Sequence, residues 1–125
     1  MAQSAEGSGT LTLGQKQQIF TANIARLIIW CYNEGYRLTF SEAYRTPEQA
    51  KLNAKSGKGI ANSTHMIRLA VDFNLFISGK YQTDTEAYRA MGQYWKTLHA
   101  ENRWGGDFKS RPDGNHFSMT HGGVA

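Results

Sequence analysis

Residues 69–77, LAVDFNLFI, restrict the fold more than any other segment, because they place a carboxylate inside an apolar strand. Their length and their β-branched and aromatic side chains favour a strand over a helix. Side chains alternate between the two faces of a strand, so Asp72 points away from the more apolar face. The core-facing residues are predicted to be Val71, Phe73 and Leu75. Placing a carboxylate in a mostly apolar strand costs free energy unless the carboxylate is paired or binds a metal. We therefore expect a partner for Asp72.

Apolar residues recur at helical spacing in two other segments. The first predicts a helix that is capped by Thr10 and runs to about Asn33. The second predicts a helix over 85–99, in which Gly92 is a weak point. A shorter helix is expected over 46–55, where a Thr-Pro pair supplies the N-cap and the first helical position.

Strand patterns outside 69–77 complete a single domain. Alternation over 36–45 predicts one further strand, and another is predicted at 116–119 after a glycine-rich stretch. A chain of 125 residues suits one modest core. The expected fold class is therefore a small single α+β domain over 10–125, with a short antiparallel sheet flanked by helices. Residues 1–9 are small and polar, which predicts a flexible N-terminal tail.

The charge of the chain suggests an anionic partner. The net charge is +4 and the pI is near 9.3, which fits nucleic acid or an anionic polymer such as the bacterial cell wall. The basic residues are scattered, whereas a nucleic-acid-binding surface would cluster them with aromatic residues. Residues 1–10 lack the features of a secretion signal, and no segment is apolar enough for a membrane span. We therefore expect synthesis in a cytosol and no stable membrane insertion.

The single cysteine excludes an internal disulfide framework. Cys31 follows an apolar run and is interpreted as a small buried core residue. The alternative, a thiol nucleophile, would require a histidine close to it in space.

Two histidines supply the partners that Asp72 needs. His65 lies seven residues before Asp72, so the chain must bend for both side chains to face one point. His116 and Asp113 lie three residues apart in RPDGNHF, 111–117. Zinc accepts imidazole nitrogen and carboxylate oxygen, and a catalytic zinc site keeps one position open for water. His65, Asp72 and His116 are therefore predicted to bind zinc, with Asp113 free to act as general base on the activated water.

Simpler interpretations of these residues stay open. Arg68 could form the required bend, or it could pair with Asp72 in place of a metal. His121 could replace His116 as a ligand. Asp107 is interpreted as a residue that organises a turn through backbone amides, with calcium binding as the alternative.

Four short segments resemble one known family. STHMIRLAVD (63–72) and DGNHF (113–117) resemble the two metal-binding motifs of the M15 family of zinc peptidases. SEAYRTPEQA (41–50) is similar to the family segment that carries an arginine at a strand end. RWGGDF (103–108) is similar to the Trp-Gly-Gly-Asp stretch before the last motif. The resemblance covers roughly 36–120 in the family's order, and it implies a hedgehog/DD-peptidase-like fold.

The resemblance also implies the roles of the metal-binding residues. His65, Asp72 and His116 match the zinc ligands, and Asp113 matches the catalytic acid/base. Two positions depart from the family pattern. Arg68 stands where many members have glycine, which could narrow the pocket or redirect the chain between the ligands. Asp113 stands where several members use glutamate, which shortens the reach of the base.

Substrate-binding roles are implied at two further positions. Arg45 matches the arginine that contacts the substrate and stabilises the developing oxyanion. Without the resemblance, Arg45 would be interpreted as a surface salt bridge with Glu42 or Glu48. Ser63 matches the motif serine that helps to hold the substrate. Among the three tryptophans, Trp104 is the one best placed to line the cleft.

The family includes D-alanyl-D-alanine carboxypeptidases and dipeptidases, and phage endolysins that cut the L-alanyl-D-glutamate bond. The expected function is therefore zinc-dependent hydrolysis of a bond in peptidoglycan stem peptides. We expect a monomeric phage or prophage lysis enzyme that reaches the cell wall through a phage-made membrane lesion. The alternative is a catalytically inactive metal-binding module of the same fold that binds cell wall or protein. A small basic nucleic-acid-binding protein is the third hypothesis.

Overall fold

The computed structural model describes residues 11–55 and 63–125. The predicted tail over 1–9, the predicted cap Thr10 and the loop over 56–59 lie outside the described residues. No helix among the described residues is long and apolar enough to cross a membrane.

The described residues form an α+β domain with three α-helices and a five-stranded sheet. The helices are α1 (Leu13–Asn33), α2 (Pro47–Lys55) and α3 (Arg89–Thr97). The strands are β1 (Arg37–Glu42), β2 (Ala70–Ile77), β3 (Lys80–Gln82), β4 (Asn102–Trp104) and β5 (His116–Met119). All strand pairs are antiparallel, so the predicted fold class is confirmed.

Helix α1 begins later than predicted because its cap is Thr12. The Thr12 hydroxyl accepts a hydrogen bond from the Gln15 backbone N–H, and the Gln15 side chain accepts one from the Thr12 N–H. This reciprocal capping box satisfies two backbone donors that a helix start leaves free. The prediction of a cap at Thr10 was therefore wrong by two residues. Gly35 follows the helix with φ of +89°, a conformation that glycine adopts at low cost.

Strand β2 is the centre of the sheet. It pairs with β1 along one edge, while β5 and β3 share its other edge. Ile77 pairs with Lys80 across a two-residue turn, Ser78–Gly79, in which both residues have positive φ. Such a turn matches the twist of the flanking strands, and it makes a hairpin of what the sequence indicated only as a turn.

The core lies between one face of the sheet and helices α1 and α3. The predicted core-facing residues of β2 are buried: Val71, Phe73 and Leu75. Cys31 is fully buried as predicted, and its burial, together with the negative charge of Glu34, raises the pKa of the thiol to about 12. A thiol that stays protonated is a poor nucleophile, so the alternative role for Cys31 has no support.

The segment predicted as one helix over 85–99 is divided in the structure. Thr85–Tyr88 form a 3₁₀ turn, and α3 begins only at Arg89. Gly92, the predicted weak point, has a packing role, because a Cβ atom there would overlap the Trp104 ring. Trp104 thus packs directly on the backbone of α3, which explains a glycine inside a helix.

Candidate metal centre

His65 reaches the sheet from a short 3₁₀ turn, Thr64–Ile67, that precedes β2. The Ser63 hydroxyl caps this turn by accepting a hydrogen bond of 3.1 Å from the His65 backbone N–H. Arg68 ends it with φ of +58° and ψ of +38°. This left-handed residue is the bend that the spacing of His65 and Asp72 required, and it explains why glycine suits the position.

The Arg68 side chain turns away from the metal-binding residues. Its guanidinium lies 4.1 Å from the centre of the Tyr44 ring, as in a cation–π contact. The interpretation that Arg68 pairs with Asp72 is therefore wrong. The Arg68 side chain does not line the cleft that contains His65, Asp72 and His116, so it does not narrow that cleft.

Asp72 and His116 are brought together by strand pairing. They are direct neighbours in the antiparallel register of β2 and β5. His116 Nδ1 lies 3.2 Å from Asp72 Oδ1, and His65 Nε2 lies 3.3 Å from the same oxygen. The centroids of the two imidazole rings are 5.1 Å apart. Two residues distant in the sequence thus converge on one carboxylate oxygen.

These three side chains meet the requirements of a divalent-metal site. One donor atom from each of His65, Asp72 and His116 lies within 4.8 Å of the other two. Both histidines are buried, and the Asp72 side chain is only 17% exposed. Two imidazoles and one carboxylate form a donor set that suits zinc and leaves a coordination position open. Among the described residues, no other group of three potential ligands is found.

The electrostatics around Asp72 favour its charged form. Burial by itself raises the pKa of Asp72, but hydrogen bonds from His116 and His65 outweigh burial. The charges of the two imidazoles act in the same direction, and the pKa is lowered to about 2. These surroundings favour the carboxylate form of Asp72, which is the form that a metal ligand needs.

Asp113 lies beside this group on the loop before β5. Its backbone N–H bonds to the Gly105 carbonyl at 2.9 Å, and its carbonyl accepts from the His116 N–H at 3.1 Å. A Cβ atom at Gly105 would overlap the Asp113 carbonyl, so glycine is needed for this approach. The Trp-Gly-Gly stretch therefore fixes the position of the last motif.

The pKa of Asp113 is shifted in the opposite direction to that of Asp72. The residue is exposed overall, yet the protein around its carboxyl removes part of the surrounding water and raises the pKa. The negative charge of Asp72 adds to this increase, whereas the charges of His116, His65 and Arg111 oppose it. A raised pKa suits a carboxylate that must take up a proton during a reaction.

Arg45 follows β1 and faces the same cleft. Its guanidinium forms an ion pair with Glu42, with Nε at 3.3 Å from Oε2 and a second contact from Nη2 to Oε1. Its backbone N–H donates to the His65 carbonyl at 3.2 Å. The salt bridge expected with Glu42 is thus present, but it is only partly exposed and lies at the candidate site.

One cleft of about 390 Å³ joins these residues. Arg45, Ser63 and Asp113 line it together with the His65, Asp72 and His116 group. Arg111 and Phe108, which the sequence did not single out, also line it. Arg111 had one available signal, since it stands two residues before Asp113 in a turn.

Trp104, which was predicted to line the cleft and contact substrate, is not among the residues that line it. Its side chain is fully buried, and its indole N–H donates to the Gly114 carbonyl at 2.7 Å. A Cβ atom at Gly106 would also overlap the ring. Trp104 therefore stabilises the loop that carries Asp113 through its bond to the neighbouring Gly114.

The other candidate ligands lie outside the group. His121 pairs with Val124 through backbone bonds and is not part of the cluster of His65, Asp72 and His116. Asp107 forms an ion pair of 2.6 Å with Lys96, and among the described residues it belongs to no group of three potential metal ligands.

Comparison with known proteins assigns the class that this fold and site suggest. The profile of a peptidase family, described as D-alanyl-D-alanine carboxypeptidase, matches residues 56–119, about half of the chain. The chain belongs to this M15 family of peptidases. No curated protein matches the sequence.

Two solved structures are similar in fold. The L-Ala D-Glu endopeptidase ChiX of Serratia marcescens superposes with a TM-score of 0.66 at 18% identity, covering 93% of this chain and 94% of that one. The D,D-pentapeptidase VanY from a VanB-type resistance cassette, an E175A mutant in complex with Zn(II), gives 0.58 at 17% identity, covering 80% and 70%. At these identities the likeness describes the fold.

Proposed function

We propose that the protein is a zinc-dependent peptidase that hydrolyses a peptide bond in the stem peptides of bacterial peptidoglycan. The observation that carries the proposal is the convergence of His65, Asp72 and His116 on one point, beside Asp113 and within one cleft. Membership of the M15 family and the Zn(II) complex of VanY support zinc as the metal.

His65, Asp72 and His116 would hold the ion, and their donor types fit it. The chemistry that zinc supplies when bound in such a site is polarisation of a carbonyl and a water more acidic than bulk water. Asp113 takes the proton of the attacking water on its carboxylate as the carbon–oxygen bond forms. The same carboxyl then gives that proton to the amine nitrogen as the carbon–nitrogen bond breaks. The raised pKa of Asp113 supports both transfers.

Arg45, Arg111 and Ser63 act on the substrate rather than on the proton. The Arg45 guanidinium stabilises the oxyanion that develops on the carbonyl oxygen. Arg111 adds a second positive charge to the cleft, which suits a stem peptide with carboxylate groups. The Ser63 hydroxyl already accepts from the His65 N–H, and its own proton can be donated to a substrate carbonyl.

Two bonds are candidates, L-Ala–D-Glu and D-Ala–D-Ala. The fold likeness to ChiX favours the first, and the description of the family favours the second. The proposal includes the setting of a phage or prophage lysis enzyme that acts in the cell wall as a monomer. The net charge of +4 supports an anionic polymer as the partner.

Purified protein, stripped of metal and reloaded with zinc, should release new amino groups from purified cell walls. Mass spectrometry of the products identifies the bond, because D-Ala–D-Ala cleavage frees alanine whereas L-Ala–D-Glu cleavage exposes the glutamate amine. The metal-free protein and a His65→Ala variant should release none, and an Asp84→Asn variant, changed at an exposed position, should match the wild type.

The outcomes separate the competing functions. Stoichiometric zinc binding without cleavage of any stem-peptide bond would favour the inactive binding module. Equal release by the wild type and the His65→Ala variant would contradict a metal-dependent reaction.

A further inference from the structure

Glu42 lies between the catalytic arginine and one candidate metal ligand. Its Oε1 pairs with the Arg45 guanidinium and lies 3.6 Å from His65 Nδ1, while Oε2 accepts from Arg45 Nε. His65 Nδ1 is buried and makes no hydrogen bond among the described residues, and the Glu42 carboxylate at 3.6 Å is a charged acceptor beside it. The opposite nitrogen of this ring, Nε2, faces Asp72.

The end of β1 is built so that Glu42 reaches this position. The register of β1 against β2 shifts between Phe40 and Glu42, which places Glu42 opposite Asp72. A bulge of this kind changes the direction of the side chains that follow it. The bond from the Arg45 N–H to the His65 carbonyl then ties the segment after β1 to the 3₁₀ turn.

We propose that Glu42 is a positioning residue that acts on two neighbours, His65 and Arg45. Towards His65, its carboxylate accepts the Nδ1 proton in the zinc-loaded protein, which fixes the ring orientation and leaves Nε2, the donor to Asp72 in the metal-free protein, without a proton as a metal ligand has to be. Towards Arg45, it holds the guanidinium at the cleft wall. The inference rests on the proposed zinc site, because a histidine that binds metal is oriented by the acceptor on its other nitrogen.

His116 shows that this arrangement is specific to His65. The Nδ1 atom of His116 faces Asp72, and its Nε2 is buried without a hydrogen-bond partner in the described part of the chain. Glu42 is therefore paired with only one of the two imidazoles among the contacts of the described residues. Substitution of Glu42 should therefore lower the zinc affinity, although Glu42 itself is not a ligand.

A second ion pair provides a matched control. Glu86 and Arg89 have the same spacing as Glu42 and Arg45, and their contact is 2.6 Å. Their side chains are 72% and 46% exposed, against 31% and 13% for Glu42 and Arg45. The Glu42–Arg45 pair is more buried and lies beside His65, whereas the Glu86–Arg89 pair is exposed. The same substitution at Glu42 and at Glu86 therefore separates a positioning role from the general effect of losing an ion pair.

The experiment measures zinc affinity by competition with a chromophoric chelator. Glu42→Ala should raise the zinc Kd by about 10- to 100-fold, as loss of a ligand-orienting partner does. Glu42→Gln keeps an acceptor oxygen and should lie between Glu42→Ala and the wild type. Glu86→Ala and Glu86→Gln should stay within about twofold of the wild type, because an exposed pair contributes little.

Arg45→Ala separates the two actions of Glu42. This variant should lose turnover but keep its zinc Kd within about twofold, since His65 Nδ1 faces the Glu42 carboxylate and not the arginine. Circular dichroism of each metal-free variant checks folding, and Glu42→Gln serves if Glu42→Ala does not fold.

Two results would overturn the inference: a zinc Kd unchanged in folded Glu42 variants, or an equal weakening in Arg45→Ala. If the wild type itself binds no zinc, the proposed function fails together with the inference. If the wild type binds zinc and the folded Glu42 variants bind it equally well, the inference alone fails.

Discussion

Asp72 and Asp113 are aspartates of the same cleft, yet their surroundings act on them in opposite ways. Asp72 is a strand residue that receives hydrogen bonds from two histidines, and its pKa is lowered to about 2. Asp113 is a loop residue, and burial of its carboxyl together with the charge of Asp72 raises its pKa. The surroundings of Asp72 keep its carboxyl group charged, whereas the surroundings of Asp113 favour uptake of a proton.

The difference shows how two identical side chains can take different roles. A residue that holds a cation needs a permanent charge, whereas a residue that transfers protons needs a pKa nearer the working pH. The negative charge of Asp72 contributes to the raised pKa of Asp113, so the two environments are coupled. Substitution of each aspartate by asparagine should therefore give different phenotypes.

The largest effect is expected for Asp113→Asn on catalysis. Loss of a positioned general base should lower kcat by about 10²- to 10⁴-fold, because such groups typically contribute that much. Zinc affinity should change little, since Asp113 is not one of the three donors. Turnover on cell-wall peptides and chelator competition measure the two quantities. Loss of zinc together with activity would show that Asp113 is a ligand, and the two aspartates would then not differ in role.

Asp72→Asn should have the reverse pattern, with zinc affinity as the primary loss. Removal of a ligand carboxylate should raise the zinc Kd by more than about 100-fold, beyond the range for a residue that only orients a ligand. Activity should be partly restored by excess zinc in Asp72→Asn and not at all in Asp113→Asn. Equal restoration of both variants by zinc would argue against the assignment.

Asp72→Asn should also destabilise the metal-free protein in a pH-dependent way. The pKa of Asp72 is lowered in the folded state, so its stabilising contribution is present above the unfolded pKa of about 4 and is lost as the pH falls towards 2. The difference in unfolding free energy should be about 2 kcal/mol at pH 6. Urea unfolding in the presence of chelator, repeated from pH 6 to pH 3, should show the difference shrinking. A constant difference would mean that the charge of Asp72 is not responsible.

The sequence indicated the strand of Asp72 better than the loop of Asp113. Alternation alone predicted that Val71, Phe73 and Leu75 of β2 are buried, because strand geometry is local. The three-residue strands β3 and β4 were missed because pairing with neighbours, not a local pattern, stabilises them. The position of Glu42 beside His65 could not be predicted from the sequence either, because it depends on a register shift that appears only in the pairing of β1 with β2.

Packing against the ring explains the error on Trp104. Trp104 was predicted to line the cleft, but its side chain is fully buried. The ring packs directly on the backbone of Gly92 in α3 and of Gly106. Gly106 is close to Trp104 in the sequence, but the contact with Gly92 depends on the packing of α3. By contrast, the requirement for a bend between His65 and Asp72 followed from strand geometry, and Arg68 provides that bend.

Arg68 gives a smaller test of how His65 is delivered to Asp72. Arg68→Ala and Arg68→Gly both lose the contact with the Tyr44 ring, so their difference isolates the cost of positive φ. Glycine should be the more stable of the two by about 1 kcal/mol, since a Cβ atom disfavours this conformation. Thermal or urea unfolding of the two metal-free variants measures it. If alanine were equal or better, the left-handed turn would not be a strained element of the site.

The smallest effect is expected for Asp113→Asn on stability, and its sign is the opposite of that for Asp72→Asn. The folded-state pKa of Asp113 is raised, so any stability from its protonated form is lost as the pH rises through that pKa. Above it the charged carboxylate disfavours folding, and asparagine should stabilise the metal-free protein. The gain should be below about 0.5 kcal/mol at pH 7, because solvent screens an exposed residue, and it should vanish near pH 3. Urea unfolding at the two pH values, with Asp84→Asn as the exposed control, tests the sign. A loss of stability at pH 7 would show that Asp113 is held as a carboxylate in the same way as Asp72.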